Sequence, residues 1–408
     1  MVMVYFINLP LFRTYYIIYL HIFHGIIGVN CVKEGNPMQS VKRQLSLKLK
    51  TLPYQNKSIV IGFDGFIDEI IHAVDKRLDS EHFTRIETML QFAKRIEKAS
   101  GLSTNIELFP VQEKIGGNGP IMCNALSQHE SKITYLGALG VPQIHPVFSK
   151  MPANVKLYSV ANSGHTDAIE FLDGKLMLGK MSSLNDVTYE NLVQAVGEEQ
   201  LIDLLNNVDL FAAVNWSMIP HMTDLWIKLR TNIVPKLNKR DIKPIFFVDL
   251  ADPEKREHDE IKSALDHLKS FNPWFNVVLG LNKKEAYDVA RVLHLIDHDV
   301  TLEDLNTRLY QYLDIYGVVI HPVDQSCCII GDRFEHEFGP LAQKPKLTTG
   351  AGDNFNAGFV FGLLLGLKPN EALLLGMATS GFYVRQARSP KYSELIDFLI
   401  QWDDQILD

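Results

Sequence analysis

Short apolar runs and helix-period stretches alternate along this chain from about residue 57 to residue 390. The apolar runs have the length of buried strands, and the stretches between them repeat their apolar residues at helical spacing. This alternation predicts one mostly parallel sheet whose right-handed crossover helices cover both faces. We predict strands at 58–63, 133–137, 208–214, 244–249, 276–280 and 316–321. We predict helices at 83–99, 120–129, 188–205, 222–238, 257–270, 284–293, 302–313, 353–366 and 370–387.

One block of the chain departs from this alternation. Val155 to Met181 reads as short extended runs, and Asp173-Gly174 separates two of them. An Asp-Gly pair between extended runs is a strong signal for a β-hairpin. This block therefore predicts strands outside the regular strand–helix order.

Composition limits the classes of partner. The 408 residues are 46% hydrophobic with a mean hydropathy near zero, which is typical of a soluble globular protein with a large core. The net charge is −8 and no block of Lys or Arg stands out, so we expect no nucleic-acid partner. Four cysteines fit no zinc-binding spacing and indicate reduced thiols in a cytoplasmic protein: Cys31, Cys123, Cys327 and Cys328.

The N-terminal residues differ sharply from the rest. The segment from Met1 to Asn30 is rich in Ile, Tyr, Phe and Leu, and a signal peptide, a membrane anchor and an upstream start codon are all open interpretations. We favour translation beginning near Met38, and expect no stable membrane association. We therefore divide the chain into an apolar extension at 1–37, a main domain at 57–390 and a C-terminal helix at 391–408.

The segment Thr348-Thr349-Gly350-Ala351-Gly352-Asp353 carries the clearest chemical signal. A long apolar run follows it and predicts a buried helix. Backbone N–H groups at such a glycine-rich helix start can hold a phosphate. Asp353 would then stand beside the anion, where a carboxylate can accept a proton from an attacking hydroxyl group. The alternative is a glycine turn with an acidic helix cap.

This segment resembles the signature of the ribokinase-like, or PfkB, family of carbohydrate kinases, with Leu347 in place of the motif's first Asp. The resemblance implies that Asp353 is the catalytic base. It also implies that Gly350, Ala351 and Gly352 form the anion hole, with Thr349 on the nucleotide-phosphate side. The implied fold is a three-layer α/β/α sandwich with a central, mostly parallel sheet. A small β-sheet lid would be built from about 66–74, 103–115 and 155–181.

Val277 to Ala286 places Asn282 and Glu285 where the family carries Asn-x-x-Glu after a strand. The resemblance implies that this pair lies near the nucleotide phosphates and helps to hold Mg²⁺, partly through water. Oxygen ligands and retained waters suit this ion. The alternative is a helix cap, with Asn282 at the N-cap and Glu285 three residues later.

Three further segments resemble the substrate side of the family. Gly117 and Asn118 lie in a paired-glycine turn, for which a plain glycine-rich turn is the alternative. Asp68, with Asp64 in reserve, follows the first strand, where a solvated turn acid is the alternative for either residue. Paired glycines let a substrate approach the backbone, and carboxylates accept hydrogen bonds from sugar hydroxyls. Asp249 and Arg256 lie at the end of a third strand, and ligands of such sheets bind at the carboxyl ends of the strands, so both residues are expected to line the cleft. The alternative is that they form a surface salt bridge.

Taken together, the resemblance implies a cytoplasmic kinase that transfers phosphate from ATP to a hydroxyl of a sugar or sugar acid. Mg²⁺ is the implied cofactor and ATP the co-substrate, with room for a monovalent cation, and the lid is a candidate homodimer surface. A nucleoside kinase of the same fold is one alternative. Leu347, and a nucleotide loop near Pro322 that lacks an obvious glycine, keep open a catalytically weak sugar- or nucleotide-binding protein.

Overall fold

A computed structural model describes residues 40–407 and the strand backbones at 3–7, 16–23 and 26–33. The chain divides into two compact units. The larger unit comprises Pro53–Leu395, and the smaller unit comprises Met1–Leu52 with Ile396–Asp408. All of the predicted functional residues belong to the larger unit.

The described strands are, in chain order, β1 (Met3–Ile7), β2 (Tyr16–Phe23), β3 (Ile26–Lys33), β4 (Ser58–Phe63), β5 (Phe66–Arg77), β6 (Phe83–Arg85), β7 (Leu108–Gly116), β8 (Lys132–Ala138), β9 (Val155–Ala161), β10 (Gly164–Glu170), β11 (Lys175–Lys180), β12 (Leu210–Ala213), β13 (Ile245–Asp249), β14 (Asn276–Leu281), β15 (Gly317–Ile320), β16 (Gln325–Ile330) and β17 (Arg333–Phe338). The described α-helices are α1 (Val41–Leu49), α2 (Met89–Lys98), α3 (Asn118–Ser127), α4 (Tyr189–Val196), α5 (Glu198–Asn206), α6 (Met222–Lys228), α7 (His258–Leu268), α8 (Lys283–Val292), α9 (Leu302–Leu313), α10 (Ala351–Leu364), α11 (Pro369–Gln386) and α12 (Tyr392–Asp403).

Nine strands form the central sheet, in the order β17-β16-β15-β14-β13-β12-β4-β8-β9. The seven strands from β15 to β9 in this order run parallel, and the two last strands at the other edge are antiparallel. Strands such as β13 and β12 are buried along their whole length, as expected for a parallel sheet covered on both faces. The prediction of an α/β fold with a mostly parallel central sheet is confirmed.

The second sheet is built around the long strand β5. Its order is β11-β10-β5-β6, and β7 also pairs with β5. The predicted Asp173-Gly174 hairpin joins β10 to β11, which pair antiparallel. One part of the predicted lid is wrong: β9 pairs in parallel with β8 and so lies at the edge of the central sheet.

Local backbone geometry accounts for other differences from the predicted elements. The helix expected at 188–205 is two helices, because Gly197 between them adopts a positive φ of 91°. The helix expected at 83–99 starts later, at Met89, after the short strand β6. The antiparallel hairpin of β16 and β17 was not predicted; its buried strand β16 includes Cys327 and Cys328.

The core of the larger unit packs between the central sheet and its helices. It contains stacked aromatic rings, including Phe211 on Phe246 with centroids 4.9 Å apart. Trp216, Trp226 and Phe271 are also fully buried there. This rigid layer fixes the carboxyl ends of the strands, where the predicted site residues lie.

In the smaller unit, β2 pairs antiparallel with both β1 and β3. Ser40 caps helix α1 by accepting a hydrogen bond from the Arg43 amide. The predicted extension at 1–37 lies outside the residues whose side chains are described. Across the described part of the chain, no helix combines the length and apolar character needed to cross a bilayer.

Candidate active site

Helix α10 begins at a turn that only glycine fits. Gly350 has a φ of 87°, and a Cβ atom there would lie 2.9 Å from the Tyr383 hydroxyl and 3.1 Å from Ile121. The Ala351 amide donates to the Thr348 carbonyl. First-turn amides of a helix lack acceptors within the helix, so this turn presents N–H groups at the positive end of the helix dipole.

A buried asparagine, absent from the sequence predictions, stabilises the same turn. The Asn354 amide and side-chain nitrogen both donate to the Gly350 carbonyl, at 3.0 and 2.9 Å. The Ser389 hydroxyl donates to the Asn354 side-chain oxygen at 2.8 Å. Thr349 contributes its carbonyl oxygen to Tyr383, which donates to it at 2.8 Å. The turn is therefore held in place before any ligand arrives.

Asp353 lies in the first turn of α10 and is only 8% exposed. Its Oδ1 accepts a hydrogen bond from Asn118 Nδ2 at 2.9 Å. Burial raises the pKa of Asp353 to about 8; the Asn118 hydrogen bond opposes this shift, and the charges of Asp64 and Glu285 add to it. A carboxylate poised near neutral pH is suited to proton transfer.

Asp64 follows β4 and is fully buried. It accepts hydrogen bonds from the Asn118 and Gly119 amides at 2.9 Å, from Asn215 at 2.7 Å and from the Tyr135 hydroxyl at 3.2 Å. Burial raises its pKa to about 6, and these donors oppose the shift. Asp64 therefore caps helix α3 and fixes the backbone of Asn118, whose side chain reaches Asp353.

Asp68 stands on β5 in the small sheet. Its carboxylate occupies the space where a side chain at Gly116 would lie, so the glycine makes room for it. Burial raises the pKa of Asp68, and a hydrogen bond with Thr166 opposes the rise. Gly117, with a φ of 99°, continues the turn, and a Cβ there would crowd the Asp64 carboxylate at 2.7 Å.

Two further acids lie close to Asp353. Asp249 ends β13 and accepts a hydrogen bond from Asn356 Nδ2 at 2.7 Å. Burial raises the pKa of Asp249, and the charges of Glu285 and Asp353 raise it further. Glu285 is also buried, which raises its pKa. Three desolvated carboxyl groups therefore repel one another at this edge of the sheet.

Glu285 and Asn282 form a complete capping box at the start of α8. Asn282 Oδ1 accepts from the Glu285 amide at 3.0 Å, and a Glu285 oxygen accepts from the Asn282 amide at 2.8 Å. The other Glu285 oxygen accepts from the Asp252 amide at 2.9 Å. The capping alternative is thus present in the structure, and the acid also faces the carboxyl cluster.

This cluster suits a hydrated divalent cation, because the ligand atoms of the three acids do not all lie within 4.8 Å of one another and would hold an ion partly through its waters. Mg²⁺ prefers carboxylate oxygens and keeps several waters. The mutual repulsion of Asp249, Glu285 and Asp353 is what such a cation would relieve. Each Glu285 oxygen already accepts one backbone hydrogen bond and has a lone pair left for a water ligand. Asn282 Oδ1 serves the capping box, so Glu285 is the better ligand of the pair.

A pocket of about 340 Å³ opens beside the first turn of α10. His321 forms part of its wall, stacked on Phe355 with ring centroids 4.7 Å apart. Burial lowers the pKa of His321 to about 4, so the ring is neutral at pH 7. The pocket walls are mostly apolar, and Gly352 lines the pocket together with Asn282, Pro322, Val323, Thr348, Ala351, Met377 and Ser380.

The contacts of Arg256 are with residues outside the carboxyl cluster. Its guanidinium pairs with Glu260, donates to the carbonyls of Ile219 and Pro220, and stacks over Trp216 at 4.6 Å. All of these contacts are structural. The surface salt bridge considered as an alternative for Arg256 is therefore what the structure contains.

The structure brings most of the predicted residues to one edge of the central sheet. Asp64, Asn118 and Asp353 form one hydrogen-bonded chain. Sequence reasoning missed five polar side chains around these residues: Tyr135, Asn215, His321, Asn354 and Asn356. Asn215 and His321 follow strand ends, and Asn354 and Asn356 lie one helical turn from Gly350 and Gly352. Tyr135 lies within β8, where no local signal marks it.

The fold and this arrangement define a class. A mostly parallel sheet with a small β-sheet beside it, and an acid at a glycine-rich helix start, are the features of ribokinase-like carbohydrate kinases. Solved structures agree on the fold. Arabidopsis thaliana ribokinase, complexed with ribose and ATP, superposes with a TM-score of 0.59 at 15% identity over 85% of this chain and 99% of that one. Adenosine kinase from Sinorhizobium meliloti gives 0.58 at 16% identity over 83% and 98%.

The chain belongs to the prokaryotic ketohexokinase family, whose model matches residues 38–402. A ketohexokinase from Haloferax volcanii is 26% identical over 342 residues, which cover 83% of this chain and 90% of the relative. The protein is accordingly a carbohydrate kinase, a phosphotransferase with an alcohol group as acceptor. The predicted resemblance to the PfkB family is confirmed.

Proposed function

We propose that this protein transfers the γ-phosphoryl group of ATP to a primary hydroxyl of a ketohexose, with Asp353 as the general base. The observation that carries the proposal is the position of Asp353. It is buried in the first turn of α10, fixed by Asn118 and adjacent to a ligand-sized pocket. Family membership supports the choice of a ketohexose over other sugars.

Asp353 accepts the proton of the attacking hydroxyl, and its ionised form is the active one. The Asn118 hydrogen bond orients the carboxylate and favours that ionised form. The Gly352 and Asp353 amides point the positive end of α10 at the transferred phosphoryl group, because this reaction depends mainly on positioning and electrostatics. These roles need no movement of the backbone turn held by Asn354.

The pocket beside α10 suits the nucleotide. Its apolar walls fit a base, and Thr348, Ala351 and Gly352 bring backbone groups to the phosphate end. Glu285, with Asp249, would hold Mg²⁺ through water. When bound, that ion supplies positive charge beside the nucleotide phosphates. Because ATP is the donor, we place the reaction in the cytoplasm.

Asp68 is the better candidate for the acceptor sugar. Four hydrogen bonds occupy the carboxylate of Asp64, which is fully buried. Asp68 forms a hydrogen bond with Thr166 and lies half-buried beside Gly116. A partly desolvated carboxylate with spare lone pairs can accept hydrogen bonds from sugar hydroxyls.

We propose that two copies of the chain form a dimer through the exposed edges of the small sheet, the predicted lid. Strands β7 and β11 lie at the borders of the small sheet and expose large apolar side chains, namely Leu108, Phe109, Val111, Met177 and Leu178. Unpaired edges that carry apolar residues invite pairing. A Val111→Lys variant should shift the mass measured by light scattering from dimer to monomer; a monomeric parent protein would refute the proposal.

Substrate-dependent release of ADP from magnesium–ATP tests the proposed activity. The panel should contain D-fructose and other ketohexoses, aldohexoses, pentoses, sugar acids and nucleosides, with Asp353→Asn as the matched control. The proposal expects the highest kcat/KM for a ketohexose, and near-complete loss of turnover in the control. A preference for nucleosides would establish the alternative nucleoside kinase. Sugar or nucleotide binding without turnover would establish a binding protein, the outcome that Leu347 keeps open.

A further inference from the structure

A histidine and two carboxylates meet on the small sheet, outside the site described above. Strands β5 and β10 pair in parallel, with Glu69 opposite Asp167 and Asp68 opposite Thr166. Successive side chains of a strand point to opposite faces. Glu69, His165 and Asp167 therefore share the face opposite Asp68 and Thr166.

The three side chains converge on one point. His165 Nε2 lies 3.0 Å from Asp167 Oδ1 and 3.4 Å from Glu69 Oε2. One ligand atom from each residue lies within 4.8 Å of the others, and no other group of three such residues meets this spacing in the described part of the chain. The side chains are 30%, 14% and 23% exposed, in the order His165, Asp167 and Glu69. They are thus partly desolvated without being closed to ions.

We propose that Glu69, His165 and Asp167 bind a divalent transition-metal ion, with zinc as the representative. Zinc–nitrogen and zinc–oxygen bonds are about 2.0–2.2 Å long, so tetrahedral ligand atoms stand roughly 3.3 Å apart. The two distances measured from His165 Nε2 match that spacing. One imidazole and two carboxylates form a ligand set that zinc accepts, and a water completes four ligands.

Lys180 is the competitor for this position. Its Nζ lies 2.9 Å from Asp167 Oδ1, and its side chain is 61% exposed. The ammonium group now offsets part of the negative charge of the two acids, through its contact with Asp167. A flexible, exposed lysine can swing into solvent when a doubly charged ion arrives. Removal of Lys180 should therefore increase the affinity for the metal, whereas removal of a ligand should decrease it.

The sheet around the cluster is packed firmly enough to preorganise the ligands. On the same face, Ala73 and Ile169 are buried with Phe171, and Phe92 of α2 packs against them. Hydrogen-bonded pairing fixes the register of β5 and β10 at the ligands themselves. A bound ion would tie these two strands together. Metal binding to this face does not depend on the catalytic roles proposed for Asp353 and Asp68.

Isothermal titration of Zn²⁺ into the chelator-treated full chain, purified without a histidine tag and with excess Mg²⁺ present, tests the proposal. We expect one zinc with micromolar affinity. Because a ligand is lost, His165→Gln should weaken that affinity by about tenfold or more. Lys180→Ala should tighten it severalfold. His82→Gln is the matched control, since His82 also pairs with a carboxylate, Asp79 at 2.9 Å, but is 71% exposed and has no third ligand.

Asp167→Asn is a second ligand variant in case His165→Gln fails to fold, as judged by circular dichroism. It should weaken zinc binding in the same direction. The proposal is overturned if the parent binds no zinc, or if both ligand variants bind it as the parent does. Binding that falls equally in His82→Gln would also overturn it. The kinase assay distinguishes these failures from failure of the proposed reaction, because magnesium–ATP turnover needs no zinc.

Discussion

Replacing Asp353 with Asn should inactivate the enzyme and at the same time stabilise the fold. The carboxyl group is 8% exposed, and burial raises its pKa from an ordinary 3.8 to about 8. A raised carboxyl pKa means that the folded state holds its proton more tightly than the unfolded chain. Below about pH 4 the buried carboxyl group therefore costs the fold no stability through ionisation. As the pH rises to about 8, the free energy of unfolding decreases progressively.

The size of this decrease follows from the shift. About four pH units at about 1.4 kcal/mol each give roughly 6 kcal/mol above pH 8 as an upper value. Near pH 6 about half of it applies. Unfolding entropy near 2 cal/mol/K per residue makes each kcal/mol worth about 1 °C for a chain of 408 residues. The Asn variant should melt several degrees higher than the parent at pH 8 and above.

Thermal melts of the ligand-free parent and variant between pH 5 and 9 provide the assay. The melting-temperature gap should widen with pH up to about 8 and then stay constant. Asp79→Asn is a control of opposite sign, because the Glu81 and His82 amides lower the pKa of Asp79, which is exposed. Its loss should slightly destabilise the fold at neutral pH and not at acid pH. A gap that is independent of pH, or a variant less stable at pH 8, would refute the reasoning.

Four further outcomes are expected. Glu285→Gln keeps the capping geometry and should raise the Mg²⁺ concentration for half-maximal rate; unchanged dependence would leave Glu285 as a cap alone. Asp68→Ala should raise the acceptor KM about tenfold or more and spare the ATP KM, at roughly 1–3 kcal/mol, whereas the reverse pattern would show that the two ends of the cleft are exchanged. Asn118→Ala should lower kcat and shift the acid limb of the pH–rate profile upward, because its hydrogen bond favours the ionised Asp353; Asn118→Ser should restore part of both, and an unchanged profile would argue against this positioning role. A chain beginning at Met38 should be as soluble and active as the full chain, and loss of folding would overturn the proposed start.

Local signals were enough to predict the parts of the site that depend on neighbouring residues in sequence. The turn at Gly350 and the capping box of Asn282 and Glu285 each involve only a few consecutive residues, so the residue types in that short segment are enough to predict them. The strand at 58–63 was predicted with its observed limits, since an apolar run bounded by polar and glycine residues marks a buried strand.

The remaining features depend on contacts between distant segments. Asp64 looked like a substrate-binding reserve because its donors Tyr135 and Asn215 are 71 and 151 residues away. The strand Val155–Ala161 was assigned to the lid because nothing in its own sequence shows that β8 is its partner. Arg256 is the converse case: its ion-pair partner Glu260 lies only four residues later, in the first turn of α7, so the pairing is local in sequence.

The central claim is that Asp353 accepts a proton from a sugar hydroxyl as phosphate is transferred from ATP. Phosphorus NMR of a mixture of enzyme, magnesium–ATP and the preferred ketohexose tests this most directly. The account predicts a phosphomonoester resonance that grows as the ATP γ-phosphate resonance falls. With Asp353→Asn the initial rate should be lower by a factor of about 10²–10⁴ or more. Inorganic phosphate in place of the phosphomonoester, or undiminished transfer by the Asn variant, would contradict it.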